Sequence, residues 1–163
     1  MFSYDIQALA RRVVEEAPAR GLTAACAESC TGGLVAAAIT AVAGSSTALD
    51  RGFVTYSNAA KSEMLGVPEI LIERHGAVSE AVARAMAEGA LRNSGAGVSV
   101  AITGVAGPGG GSPDKPVGLV HFAAAGPAGV IHVEHRFGDI GREAVRLESV
   151  RAALSLLLDR IGA

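Results

Sequence analysis

Tryptophan is absent from this 163-residue chain, and only 4% of its residues are aromatic. Proteins that bind single-stranded nucleic acid stack its bases on aromatic side chains, so this scarcity argues against such a role. Charge of either sign is also sparse, because 14 Lys and Arg residues face 16 Asp and Glu residues for a net charge of −2. Nucleic-acid-binding domains carry a basic excess, and we therefore expect no nucleic-acid partner.

Cysteines and long apolar runs are also few. The two cysteines, Cys26 and Cys30, are fewer than a disulfide scaffold carries, and we expect reduced thiols in a cytoplasmic protein. The longest apolar run, residues 34–43, is too short to cross a bilayer. The first residues lack the basic and apolar segments of a signal peptide. These observations predict a soluble cytoplasmic protein with no membrane partner.

The chain is rich in aliphatic residues. Half of the residues are hydrophobic, the mean hydropathy is +0.37, and 21 residues are glycine. The length suits one domain with a buried core, which we place at residues 1–163. Hydrophobic periodicity and turn residues predict helices and strands in alternation. The expected helices are 6–18, 34–42, one that Asn58 caps, 68–74, 79–92 and 142–161, and the expected strands are 22–27, 51–57, 98–103, 117–124 and 130–137.

This alternation predicts an α/β fold. The last two strands surround a short Gly- and Pro-containing turn and should form a hairpin, so at least one strand pair is antiparallel. We expect a three-layer α/β/α sandwich around a mixed, mostly parallel sheet of about five or six strands.

Ser29 is the first candidate for chemistry. It follows a predicted buried strand and precedes Thr31, Gly32 and Gly33, after which a helix begins. A strand-to-helix turn projects a side chain from the sheet edge, and the free N–H groups there can hold an oxyanion. The alternative is purely structural, with Ser29 or Thr31 capping the helix and the glycines allowing close packing.

A serine nucleophile needs a base, and the histidines are poorly placed for that task. His132 and His135 are three apart on a predicted strand, so they face opposite sides and cannot share a metal. His75 ends a helix and His121 lies within a strand. Lys61 lies near a strand end among apolar residues, and burial would lower the pKa of its amine and make it a base. A solvated helix lysine is the alternative.

Residues 104–116 form a loop dense in glycine and proline, directly after the strand that ends at Thr103. Several of its backbone N–H groups could converge on an anion. It matches neither the Walker A motif nor the dinucleotide-binding motif, and a flexible surface loop is the alternative. Ligands of open α/β sheets bind at the carboxyl ends of the strands, so Thr103 and Ser29 should lie at one edge.

Two further residues have both a functional and a structural interpretation. Cys30 lies at the start of a helix, where a thiolate has a lowered pKa and is nucleophilic, although no histidine partner is evident. Cys26, inside the strand, suits inert packing. Arg142 begins the last helix and could bind a phosphate, or could be an ordinary surface arginine.

An ordered set of motifs resembles the CinA C-terminal domain family, in particular its stand-alone members, the nicotinamide-nucleotide amidases. The resemblance extends over nearly the whole chain. The motifs that carry it are Ala-Glu-Ser-Cys-Thr-Gly-Gly-Leu (27–34), Gly-Ser-Ser (44–46), Gly-Phe-Val-Thr-Tyr-Ser-Asn-Ala-Ala-Lys (52–61), Leu-Gly-Val (65–67), His-Gly-Ala-Val-Ser-Glu (75–80), Met-Ala-Glu-Gly-Ala (86–90), Ile-Thr-Gly-Val-Ala-Gly-Pro-Gly-Gly-Gly (102–111) and Lys-Pro-Val-Gly (115–118).

The resemblance implies hydrolysis of nicotinamide mononucleotide to nicotinate mononucleotide and ammonia by a homodimer, with no cofactor and no metal. It places the nucleophile on Ser29, the active-site lysine on Lys61 and the active-site threonine on Thr103. The turn after Ser29 and the glycine-rich loop add backbone contacts to those that the resemblance implies. The substrate contacts are therefore expected at Tyr56, Ser46, Thr31, Gly32, Gly33, Gly104, Gly107, Gly109, Gly110 and Arg142. The family tends to read Gly-Asp-Arg before the last helix, whereas two residues separate Asp139 from Arg142 here.

The hypothesis is acyl transfer. Lys61 takes the proton of Ser29, N–H groups of residues 30–33 stabilise the oxyanion, and Thr103 orients Ser29 or Lys61. Tyr56 packs on the nucleotide, while the glycine loop and Arg142 hold its phosphate. Two alternatives stay open: a non-catalytic module that binds a nucleotide or a protein partner, and an amidase for another small carboxamide.

Overall fold

The computed structural model describes residues 1–163. Its eleven helices and strands are α1 (Tyr4–Ala19), β1 (Ala24–Glu28), α2 (Leu34–Thr40), β2 (Leu49–Val54), α3 (Asn58–Leu65), α4 (Glu69–His75), α5 (Glu80–Arg92), β3 (Val98–Gly104), β4 (Leu119–Gly126), β5 (Gly129–Arg136) and α6 (Arg142–Gly162), and a single 3-10 turn covers Ser45–Thr47.

One five-stranded sheet has the order β2-β1-β3-β4-β5. Strand β1 pairs in parallel with both β2 and β3, whereas β4 is antiparallel to β3 and to β5. Four of the five strands therefore run in the same direction, and both antiparallel pairs involve β4, which forms the predicted hairpin with β5. The α/β fold with a mixed sheet is confirmed.

The three interior strands are buried along almost their whole length, which explains why they consist of aliphatic and small residues. Helices α1, α2 and α6 pack on one face of the sheet, and α3, α4 and α5 cover the other face. The expected three-layer sandwich is present. No helix of the structure is both long enough and apolar enough to span a bilayer.

Two local predictions differ from the structure around the second strand. This strand covers Leu49–Val54 rather than 51–57, because its only neighbour, β1, ends at Glu28 opposite Val54. The next helix is capped by Ser57 rather than by Asn58. The Ser57 hydroxyl accepts a hydrogen bond from the Ala60 N–H at 3.0 Å, and Asn58 is the first helical residue. The Asn58 side chain is therefore not used as the helix cap.

Helix α3 is held in place by a close approach to α5. A Cβ atom added at Gly89 in α5 would lie 2.0 Å from the carbonyl oxygen of Leu65, the last residue of α3. Only glycine allows this contact, because the neighbouring atoms are backbone and cannot rotate away. The glycine thereby fixes the position of α3 against the sheet.

We predict that Gly89→Ala lowers the free energy of unfolding by about 1–3 kcal/mol, despite the better helix propensity of alanine, since α3 and α5 must move apart. Urea unfolding measures the change. Gly162→Ala is the matched control, because this helical glycine has no atom within 4 Å of the added Cβ. A Gly89→Ala protein as stable as the wild type would contradict the packing described here.

Candidate functional site

The carboxyl ends of β1, β2 and β3 meet at one edge of the sheet, where a cavity of about 290 Å³ opens. Its lining combines the ends of these strands with the glycine-rich loop and the first residue of α6: Ser29, Cys30, Tyr56, Asn58, Lys61, Ala77, Val78, Thr103, Gly104, Val105, Ala106, Gly107, Gly109, Gly110 and Arg142. The sheet edge thus brings together most of the residues singled out from the sequence.

Another cavity, of about 710 Å³, lies between α1 and α2 on the outer surface. Seven of its ten lining residues are hydrophobic, and none is a serine, cysteine, lysine or histidine. It is larger, but its ionisable side chains are only Arg11 and Glu15, without a side-chain hydroxyl, thiol or amine that could act as a nucleophile beside a base. We therefore assign the candidate site to the smaller cavity at the sheet edge.

Ser29 lies directly after β1, in the turn that leads into α2. The turn is tight because Gly32 and Gly33 adopt positive φ angles of 60° and 103°, which residues with a side chain rarely adopt. The Ser29 N–H donates to the carbonyl of Ile102 in β3 at 3.0 Å. The backbone of the serine is therefore tied to the central strand of the sheet.

The buried side chain of Glu28 occupies the start of α2. Its carboxylate accepts hydrogen bonds from the N–H groups of Gly33, Val35 and Ala36 at 2.9–3.1 Å, and only 1% of the residue is exposed. These N–H groups are the ones that a helix start leaves free. The amino end of α2 is thus already neutralised and cannot receive an anion from the substrate.

This arrangement corrects the expectation that N–H groups throughout residues 30–33 face an oxyanion. The Gly33 N–H is bound by Glu28, and the Gly32 N–H donates to the Ser29 carbonyl at 3.0 Å. Only the N–H groups of Cys30 and Thr31 donate to no protein acceptor. Of these two residues, Cys30 lines the cavity.

Lys61 is among the largest fully buried side chains of the molecule, with 1% of the residue exposed. Its Nζ lies 3.1 Å from Ser29 Oγ, 2.8 Å from the Thr55 carbonyl oxygen and 3.5 Å from the Tyr56 carbonyl oxygen. No carboxylate forms a salt bridge with it. Burial lowers the pKa of Lys61 below its usual range, and only a weaker effect of Cys30 opposes this shift.

Thr103 lines the same cavity but does not contact the other two candidates. Its Oγ1 donates to the carbonyl oxygen of Ala77 at 2.9 Å, and it makes no hydrogen bond to Ser29 or Lys61. The expected orienting contact is therefore absent from this structure. The observed bond instead ties β3 to the segment before α5, which forms one wall of the cavity.

The glycine-rich loop forms the wall opposite Lys61. Gly104, Gly107, Gly109 and Gly110 all line the cavity, as expected. The N–H groups of Ala106, Gly107, Gly109 and Gly110 donate to no protein acceptor. Lys115 closes the loop by donating to the His75 carbonyl at the end of α4. The loop thus lines the cavity with residues whose N–H groups have no protein acceptor.

Arg142 reaches the cavity despite the two residues inserted before it. Its Nη1 donates to the Gly107 carbonyl at 2.8 Å, and its Nη2 donates to the Tyr56 hydroxyl at 3.1 Å. The guanidinium group therefore connects the loop after β2 with the glycine-rich loop. Gly141, with a φ of 96°, makes the turn that aims the start of α6 at the cavity.

Four residues expected to contact a substrate lie outside the cavity lining. Ser46 is exposed in the 3-10 turn before β2, at the opposite edge of the sheet, so it does not line this cavity within a single copy of the chain. Thr31 is fully buried, and its hydroxyl has no partner. Gly32 and Gly33 serve the turn after Ser29 rather than the cavity surface.

Burial of Cys30 argues against the cysteine alternative. Cys30 lines the cavity, but only 5% of the residue is exposed, and burial raises the pKa of its thiol to about 12. Such a group stays protonated and is a poor nucleophile. Cys26 is fully buried in the sheet, with its pKa also raised by burial, as inert packing requires. Both cysteines are free thiols.

The histidines lie away from the serine, but two of them contact each other. His121 Nδ1 is 2.9 Å from His132 Nε2 across β4 and β5, a pairing that the sequence spacing did not indicate. His135 stacks on Phe137 on the other face of the sheet, so the predicted opposite orientations of His132 and His135 are correct. No group of three or more His, Cys, Asp or Glu side chains could hold a metal ion.

Sequence reasoning missed Asn58, Ala77 and Val78 as cavity residues. For Asn58 a signal was available, because it precedes Lys61 by one helical turn in α3, and residues three apart share a helix face. For the other two no local signal exists, since their position depends on where α4 and α5 pack.

The comparisons with known proteins identify the family of the chain. A model of the family described as the CinA C-terminal domain matches residues 6–161. A "Nicotinamide-nucleotide amidohydrolase PncC" from Enterobacter agglomerans is 56% identical over 142 residues, which are 86% of this chain and 85% of that protein. A "CinA-like protein" from Synechococcus sp. is 55% identical over 96% of this chain. The chain spans only 38% of the length of that longer relative.

Solved structures extend the agreement to the fold. The competence/damage inducible protein CihA from Agrobacterium tumefaciens is 52% identical, with a TM-score of 0.97 over 100% of this chain and 99% of that one. A CinA superfamily protein from Klebsiella pneumoniae is 38% identical, with a TM-score of 0.90 over 96% of this chain and 98% of that one. The chain belongs to the CinA C-terminal domain family.

Proposed function

We propose that this chain is an amidohydrolase that converts nicotinamide mononucleotide to nicotinate mononucleotide and ammonia, with Ser29 as nucleophile and Lys61 as base. The observation that carries the proposal is the 3.1 Å contact between Lys61 Nζ and Ser29 Oγ, made by a buried amine without a carboxylate partner. The name of the Enterobacter agglomerans relative supports an amidohydrolase that acts on a nicotinamide nucleotide.

The hydrogen bonds of Lys61 suit a neutral amine. An uncharged amine has two N–H donors and one lone pair. The carbonyl oxygens of Thr55 and Tyr56 accept two N–H donors. Loss of the third proton, which Nζ otherwise donates to Ser29 Oγ at 3.1 Å, leaves a lone pair that faces this hydroxyl and can take its proton. A lysine in this state can act as a general base at a pH at which an exposed lysine cannot.

The first half of the reaction forms an ester. Ser29 Oγ attacks the carboxamide carbon while its proton moves to Lys61 Nζ. The oxygen of the tetrahedral intermediate takes the negative charge, and the unpaired N–H of Cys30 beside the nucleophile stabilises it. The C–N bond then breaks as Lys61 returns the proton to the departing nitrogen, which leaves as ammonia.

The second half hydrolyses the ester. A water molecule gives its proton to Lys61 and attacks the nicotinoyl carbon, and the proton then returns to Ser29 Oγ as the C–O bond breaks. Nicotinate mononucleotide leaves and the starting state is restored. Proton transfer and charge stabilisation both come from the chain, so the proposed reaction requires no cofactor and no metal.

The phosphate of the substrate belongs at the far wall of the cavity. Arg142 provides the charge, and the unpaired N–H groups of Gly107, Gly109 and Gly110 provide neutral donors. Tyr56, held by Arg142, is placed to contact the nucleotide. Thr103 completes the wall beside the reacting groups. The proposed enzyme acts in the cytoplasm, as its few cysteines suggest, and as a homodimer or higher homo-oligomer, as the resemblance implies.

The nucleophile and base are tested together. We predict that Ser29→Ala and Lys61→Met each lower kcat for ammonia release from nicotinamide mononucleotide by at least about 10³-fold, because each removes one half of a unit that acts jointly. Ammonia and nicotinate mononucleotide are measured in the same reaction.

Two controls accompany these variants. Ser62→Ala removes a hydroxyl that has no partner, one residue after Lys61, and should leave kcat unchanged. Cys30→Ala keeps the backbone N–H and should retain most of the activity. Near-normal release by Ser29→Ala would refute the nucleophile. A wild-type protein that binds the nucleotide without releasing ammonia would favour the binding-module alternative.

The pH dependence tests the neutral lysine. Because the pKa of Lys61 is lowered in the folded state, kcat/KM is expected to rise with pH through that lowered value. Between it and the ordinary value of 10.5, the unfolded chain binds a proton that the folded chain lacks, so the stability of the wild type rises with pH relative to Lys61→Met. The Lys61→Met variant also loses the hydrogen bonds to the Thr55 and Tyr56 carbonyls. This loss changes its stability by an amount that does not depend on pH.

Thermal unfolding of both proteins between about pH 6 and pH 10 measures this difference. A stability difference that does not change with pH over this range would mean that Lys61 has the same pKa in the folded and unfolded chains. Another group would then have to act as the base.

The phosphate contact is tested by Arg142→Gln. Loss of a charge-assisted contact of about 1.5–3 kcal/mol is expected to raise KM for nicotinamide mononucleotide by roughly 10- to 100-fold. KM for nicotinamide riboside, which lacks the phosphate, should change little. The control is Arg136→Gln, an exposed arginine bound to Glu134 on β5. Equal effects on both substrates would place the phosphate elsewhere.

A further inference from the structure

Arg146 lies one helical turn after Arg142 in α6, so both side chains project from the same side of the helix. Arg142 enters the cavity, whereas Arg146 reaches behind the turn that carries Ser29. Its Nε donates to the Cys30 carbonyl and its Nη2 donates to the Thr31 carbonyl, both at 3.1 Å. No family motif quoted above includes this residue.

The two contacts determine where the unpaired N–H groups point. In a trans peptide the C=O and the following N–H face opposite directions. Because Arg146 holds the Cys30 carbonyl, the Thr31 N–H faces away from Arg146. Because it also holds the Thr31 carbonyl, the Gly32 N–H is turned away and donates to the Ser29 carbonyl.

The bond from the Gly32 N–H to the Ser29 carbonyl also fixes the peptide plane between Ser29 and Cys30. With the Ser29 carbonyl engaged by Gly32, the N–H of Cys30 must face the opposite side of that peptide plane. This N–H has no protein acceptor, and Cys30 lines the cavity. One guanidinium group therefore orients three consecutive peptide planes. Its planar fork suits this task, since two N–H donors in fixed relation meet two neighbouring carbonyls.

Arg146 also brings positive charge to the turn. It has no carboxylate partner, unlike Arg151 further along the same helix, which binds Asp5 and Glu148. The charge is felt at Cys30, where burial dominates and raises the pKa of the thiol, while Arg146 acts in the opposite direction by favouring the anion. Negative charge that develops beside Ser29 meets the same field.

We infer that Arg146 is a positioning residue for the reaction, holding the Cys30 N–H in the direction in which it stabilises the oxyanion formed at Ser29. This inference rests on the proposed function in taking Ser29 as the nucleophile. It adds a second role for α6, whose first residue contacts the substrate phosphate and whose second turn orients the donor of the oxyanion site.

Two substitutions test the role. Arg146→Gln removes the charge and the fork, and Arg146→Lys keeps the charge but loses the paired donors. We expect both to lower kcat by about 10- to 100-fold, since misdirecting one oxyanion donor approaches the effect of removing it. KM for nicotinamide mononucleotide should stay within about threefold, because the ground-state amide does not depend on this donor.

The matched control is Arg151→Gln on the same helix, which is expected to lose stability but keep kcat. Thermal melting verifies that the variants are folded, and if Arg146→Gln does not fold, Arg146→Lys carries the test. A kcat within twofold of wild type, a loss confined to KM, or full recovery with lysine would each overturn the inference.

A second readout does not depend on the natural substrate. A fluorophosphonate reacts with an activated serine to give a tetrahedral adduct, whose oxygen needs the same donors. The labelling rate of Ser29 should fall about tenfold or more in both Arg146 variants and stay normal in Arg151→Gln. Slow labelling in the variants would support the inference even if nicotinamide mononucleotide proved not to be the substrate. Equal labelling in all proteins, or no labelling of the wild type, would overturn it.

Discussion

Burial of the Lys61 amine is the constraint on which the site depends. The side chain extends from α3 to the carboxyl ends of β1 and β2, and it joins them through Ser29 and the carbonyls of Thr55 and Tyr56. A charged amine at this depth without a carboxylate would be costly, and the folded state lowers that cost by favouring the neutral form. The close approach of Gly89 to Leu65 contributes from outside the site, because it fixes the position of α3, the helix that carries Lys61.

The carboxylate of Glu28 has the complementary task. A helix that begins beside a nucleophile usually offers its first N–H groups to the substrate, but here Glu28 takes three of them from within the core. The donors left for chemistry come from the turn itself and are aimed by Arg146 from behind. The start of α2 therefore serves stability through the negative charge of Glu28, whereas the turn serves reactivity through the positive charge of Arg146.

The sequence was sufficient for the layer order, because the aliphatic runs of the interior strands and the periodicity of the helices are local signals. It also indicated the sheet edge, since Ser29, Lys61 and the glycine-rich loop all follow strands that run in parallel. Contacts that depend on packing were beyond it. The hydroxyl of Thr103 could have met Ser29 or Lys61 by any sequence criterion, yet the segment before α5 places the Ala77 carbonyl nearer. The amides of residues 32 and 33 also looked free from the sequence, but the Gly33 N–H donates to Glu28 and the Gly32 N–H donates to the Ser29 carbonyl.

The wall of the cavity formed by the glycine-rich loop has a consequence for how a ligand arrives. Among the lining residues only Lys61 and Arg142 carry ionisable cationic side chains, and burial lowers the pKa of Lys61. The remaining donors on that wall are uncharged N–H groups, and the whole chain has a net charge of −2. Such a site attracts an anion only at short range, because amide dipoles lose their influence quickly with distance and one guanidinium is screened within about 8–10 Å at physiological salt. Encounter is therefore governed by diffusion rather than by long-range steering, and discrimination among anionic ligands begins at contact.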